Sequence, residues 1–123
     1  MANPNIVAVT SIYGSTSYLI PSTTSATTWT ALTPASGTVN KIDNIVASNV
    51  TSSAATVTVS INSATGGSGT AYRIAYQISV PPNASLIITD KTTAFYVGES
   101  QSVVVTVGTA SAIELTASLE AIS

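Results

Sequence analysis

The chain has 123 residues, three basic and five acidic side chains, a formal net charge of -2, and neither histidine nor cysteine. That length fits one domain with one core, and the scattered Lys41, Arg73 and Lys91 exclude nucleic acid and anionic membrane as partners, since phosphate binding draws its affinity from clustered cations. Without His and Cys, the usual general base, the commonest zinc ligands, the thiol nucleophile and any disulfide are all excluded.

In chain order, Met1-Ala2-Asn3-Pro4-Asn5 lacks the basic start and apolar run of a signal peptide, and no later apolar segment has the length of a membrane span. Synthesis and use without export are therefore expected. Asn3-Pro4-Asn5 is a Pro-stiffened lead into Ile6-Val7-Ala8-Val9, which reads either as an ordinary first strand or as an arm, residues 1-5, that adds to a neighbour's sheet. Strands are expected at 6-13, 17-20, 27-32 and 39-49. Thr56 to Asn62 alternates strictly, with Val57, Val59 and Ile61 on one face and hydroxyls on the other, the pattern of a half-buried antiparallel strand. Ala71 to Val80 repeats it, with Tyr72, Ile74, Tyr76, Ile78 and Val80 in one row. Further strands fall at 85-89, 94-97, 102-107 and 112-122, the last carrying Ile113, Leu115 and Leu119 inward.

Pro21, 34-37, 65-69, Pro81-Pro82-Asn83, Asp90-Lys91, Gly98-Glu99 and 108-111 supply turn signals between these runs. Eight to ten short strands and no substantial helix predict an all-β fold, an antiparallel β-sandwich of jelly-roll type, over 1-123 as a single domain. Charged residues make up 7% of the chain, against about 25% in an average globular protein. Ser and Thr take the outward positions instead, and such a surface costs little to desolvate when its hydroxyls find partners.

Few residues offer chemistry. Asp90 and Glu99, both in turns, are the carboxylates best placed for a glycosidase-like acid and base or nucleophile; the plainer reading makes both of them turn residues. No Asp-rich loop offers a calcium site. Gly66-Gly67-Ser68-Gly69 lacks the Lys-Ser/Thr and helix of a phosphate loop and reads as a flexible hairpin tip. Catalytic residues, a bound metal and a cofactor are therefore not expected. Asn49-Val50-Thr51 and Asn83-Ala84-Ser85 match the N-glycosylation pattern, as chance matches in a chain so rich in Ser and Thr. Trp29 is read as a core residue or, given its hydroxyl-rich neighbours, as an interface anchor. Asn3, Pro4, Asn5, Ile6, Val7, Val9, Tyr13 and Trp29 form the candidate interface.

Three stretches carry a resemblance: Asn3 to Gly14, Val80 to Ile88 together with Tyr96 to Ser100, and Leu119 to Ser123. They resemble the small virion structural proteins of tailed bacteriophages, particularly those of marine bacteria and cyanobacteria. The resemblance implies a non-enzymatic component of the virion, made in the host cytoplasm, such as a decoration (cement) protein on the capsid surface. Its partners would be the major capsid protein or another virion protein. By analogy with small β proteins that clamp capsomers, a homo-oligomer is expected, a trimer above other states. The alternative is a tail or head-fibre module that binds host surface carbohydrate through exposed tyrosines and Trp29. No functional residue carries over from the family.

Overall fold

The computed structural model describes residues 7-123. Its strands are β1 (Ile12–Leu19), β2 (Thr27–Thr28), β3 (Val39–Asn49), β4 (Ala55–Asn62), β5 (Ala71–Val80), β6 (Ser85–Thr89), β7 (Phe95–Val97), β8 (Ser102–Val107) and β9 (Ile113–Ile122). Among the described residues the helical segments are three single 3-10 turns, at Thr30–Leu32, Thr65–Gly67 and Lys91–Thr93. Two antiparallel sheets pack face to face. One has the order β1-β9-β3-β6, with β7 following β6 along the same edge of β3; the other has the order β2-β8-β4-β5.

This order is that of a jelly roll. The ladders β1 with β9, β2 with β8, β3 with β6 and β7, and β4 with β5 are nested like the rungs of one long hairpin. Rolling that hairpin up brings β9 beside β3 and β8 beside β4, which closes each sheet. Alternation then places Val57 and Val59 of β4 and Ile113, Leu115 and Ala117 of β9 between the sheets, fully or almost fully buried. Trp29 and Leu32 join them from the segment after β2.

The structure corrects several sequence expectations. The two strands expected at 6-13 and 17-20 are one continuous strand, β1, whose middle is Gly14-Ser15-Thr16; Val7 to Ser11 precede it outside any strand, and Ile6 lies outside the described residues. Only Thr27–Thr28 of 27-32 is extended, because the chain turns at Thr30–Leu32 to drop Leu32 into the core. The single row expected along β5 is broken. Val57 and Val59 pair with Ile78 and Ala75, and Val59 and Ser60 with Ala75 and Arg73, so β5 gains a residue at each of two bulges. Each extra residue reverses the facing of the residues beyond it, and Gln77, at φ 48, takes up the local turn.

The glycine-rich tip between β4 and β5 is pinned rather than free. The Asn62 side chain, 3% exposed, donates to the carbonyls of Gly67 and Gly69 and accepts from the N–H groups of Ala64 and Gly69. Ser102 Oγ donates to the Ala64 carbonyl at 2.7 Å. Gly67, at φ 78, lies so close to Thr28 and Val104 that a Cβ would meet Thr28 Oγ1 at 2.9 Å. The tip therefore caps the outer side of β2 and β8.

Candidate functional site

Most of the charges of this chain are gathered in one place. Lys41, Asp43, Asp90, Lys91 and Glu120, with Asn44, line a recess of about 510 Å³. They are five of the eight charged side chains in the sequence. β3 and β9 form one wall, where Lys41 lies directly opposite Glu120 in the ladder. A register shift between Ile42 and Asn44 inserts Asp43 as an extra residue and swings it toward Lys41. Lys41 Nζ stands 3.8 Å from both Asp43 Oδ1 and Glu120 Oε2. Asn44 Oδ1 accepts the N–H of Ser118, tying the bulge to β9.

The turn between β6 and β7 supplies Asp90 and Lys91. Asp90 caps it: Oδ1 accepts from the Thr92 hydroxyl at 2.6 Å and the Thr92 N–H at 2.9 Å, and the Thr93 hydroxyl accepts from the Asp90 N–H. The Thr92 hydroxyl, then its N–H, hold the Asp90 carboxyl below the usual aspartate range. The half-exposed ion pairs around Lys41 satisfy one another and contribute little to stability. No group of acidic side chains converges as a metal site among the described residues.

Asp90 and Glu99 do not act on this recess together. Asp90 lines it through the cap, whereas Glu99 is absent from its lining and accepts the N–H of Gly37 through Oε1, fixing the turn before β3. The candidate interface residues are also dispersed. Asn3, Pro4, Asn5 and Ile6 lie outside the described residues; Val7 and Tyr13 are exposed and Val9 is half-buried. Trp29 is a correction: it is 1% exposed, packed in the core, with its Nε1 donating to Ser17 Oγ at 3.0 Å. A side chain enclosed on all sides cannot anchor a partner or stack on a sugar. Its neighbours in sequence are hydroxyl-bearing, but its neighbours in space come from both sheets.

Asn49 is buried, and its Nδ2 donates to the carbonyls of Ser53 and Val80. Its amide is consumed by the fold, so the match to a glycosylation pattern there has no acceptor to offer. Sequence reading missed the gathering of charge, because Lys41, Asp90 and Glu120 meet only after the roll closes; the strict opposition of Lys41 and Glu120 becomes visible once β3 and β9 are known to pair.

Elsewhere the surface is nearly uncharged and carries exposed tyrosines and aliphatics: Ile12, Tyr13, Tyr18 and Ile20 around β1, Tyr72 and Tyr76 on β5, and Ile87 and Tyr96 on the β6–β7 edge. No helix among the described residues is long and apolar enough to cross a membrane. Neither a protein-family model nor a curated protein nor a solved structure matches the chain.

Proposed function

We propose that this protein is a non-enzymatic structural component of a tailed-phage particle, a decoration protein on the head that stabilises the capsid by binding across capsomers. The observation that carries this reading is the surface: with five of eight charges confined to one recess, the remaining faces are hydroxyl-rich and can be covered by other subunits at small desolvation cost. The resemblance of the sequence to small phage virion proteins supports it, and so does a jelly-roll sandwich, an architecture common in capsid and lectin domains. Fold alone does not assign function, so the reading rests on the surface and the resemblance together. Its partners are copies of itself and the major capsid protein or another virion protein. Quantitative mass spectrometry of purified virions tests it: a copy number in simple ratio to the major capsid protein is expected, and absence from the particle overturns it.

One observation favours a second reading, a head-fibre or tail module that binds host carbohydrate. Tyr72 and Tyr76 stand exposed on β5, with the Arg73 guanidinium 5.2 Å from the centre of the Tyr76 ring. An aromatic face with a donor beside it suits a sugar ring. Glycan binding by the isolated protein that Tyr76→Ala abolishes without unfolding it, together with a copy number of a few per particle, would favour this second reading.

A further inference from the structure

Each sheet edge but one carries a device that discourages pairing with another chain. β2 is two residues long; β5 is bulged twice and carries Arg73; β6 and β7 are short and separated by the charged, capped turn at Asp90 and Lys91. β1 has none. It is eight residues, Ile-Tyr-Gly-Ser-Thr-Ser-Tyr-Leu, without charge or proline, and it pairs with β9 in unbroken register from Ile12↔Ile122 to Leu19↔Leu115. Among the described residues no strand lies on its other side.

The register shows which groups are left over. Ser11 and Ser123 exchange both backbone hydrogen bonds. In an antiparallel ladder such pairs recur at every second residue, so Tyr13, Ser15, Ser17 and Leu19 direct their N–H and C=O groups to β9. Ile12, Gly14, Thr16 and Tyr18 direct theirs to the open edge.

Nothing among the described residues requires glycine at position 14. Its φ is not in the left-handed region, no bulge occurs beside it, and a Cβ there would meet nothing within 4 Å. Glycine in a strand weakens it by roughly 0.5–1 kcal/mol relative to alanine, and in a strand interior it often marks close approach by another backbone. We infer that β1 pairs antiparallel with β1 of a second copy, about a two-fold axis through Thr16, joining the two five-stranded sheets into one. A two-fold axis normal to the sheet requires facing residues to share a face, and centring it on Thr16 satisfies this. Thr16 then faces Thr16, Gly14 lies under the Tyr18 ring of the other copy, Ser15 faces Ser17 and Tyr13 faces Leu19. These are hydroxyl, aromatic-over-glycine and aromatic–aliphatic pairs of the kind that stabilise adjacent strands. The contact is isologous and closes at two copies.

Sedimentation of the full chain across the micromolar to millimolar range tests this. A reversible species of twice the 12.4 kDa chain is expected, with its dissociation constant raised about tenfold or more by Thr16→Lys, which sets two ammonium groups face to face at the axis. Gly14→Val separates the two roles of that position: it should weaken the dimer while the melting temperature of dilute monomer holds or rises. Because the chain has no cysteine, Thr16→Cys should give a disulfide-linked dimer on mild oxidation and Ser15→Cys should not. A monomer at every concentration, whether the edge is covered by residues 1-6 of the same chain or by nothing, overturns the inference, as does a three-copy species or a dimer indifferent to Thr16→Lys.

Discussion

Three asparagines do work in this chain that charged residues do elsewhere. Asn40, Asn49 and Asn62 are buried, and each spends its amide on backbone groups of a turn or of the other sheet. Asn62 is the most committed, since four backbone groups of the β4–β5 tip depend on it. Asn62→Ala leaves those groups without partners and is expected to lower stability by about 2 kcal/mol or more, measured by urea denaturation. Such residues are not legible in the sequence. There Asn40, Asn49 and Asn62 fall inside expected strands with nothing to mark them as buried, since burial depends on what folds over them. Trp29 shows the same limit: Ser17, which accepts its indole N–H, is twelve positions away and belongs to the other sheet.

At the scale of elements, the strict alternation in β4 and the turn signals around β6 and β8 set those strands to within a residue of their sequence-derived bounds. The sequence pattern divides β1 in two because Gly14-Ser15-Thr16 has no apolar member, although an edge strand needs none where solvent meets both of its faces. The bulges in β3 and β5 leave no trace in the pattern, since one extra residue keeps composition unchanged while reversing every facing beyond it. The capped turn between β6 and β7 carries a prediction in pH. The Asp90 carboxyl titrates below its unfolded range in the native state, so the ionised form favours the fold above that range, and the contribution is lost as pH falls through the native value. The melting temperature of Asp90→Asn should lie below that of the unsubstituted chain near neutral pH, and the gap should close in acid. A gap that persists unchanged at low pH would show that the carboxylate charge is not what the cap uses.

For the whole molecule, the nested pairings mean that the first and last strands must meet before the five-stranded sheet is complete, and β2 must meet β8 before the other is. Contacts between β1 and β9 span almost the entire chain, and topologies dominated by such contacts fold slowly, in about milliseconds to seconds for domains of this size. Stopped-flow fluorescence of Trp29, the single tryptophan, should report a refolding phase in that range; microsecond refolding would contradict the closing of the roll as the limiting step.

The class of fold and the character of the surface are local properties of the chain: alternation of apolar residues with hydroxyls is a period-two signal, and it places a half-buried strand without knowledge of any partner. The scarcity of charge was equally plain. Long-range contacts set which strands are neighbours, that five charges meet in one recess, that Trp29 is enclosed, and that no strand among the described residues covers the outer edge of β1. Each of these depends on residues far apart in the chain, brought together when the hairpin rolls up and its ends close against each other.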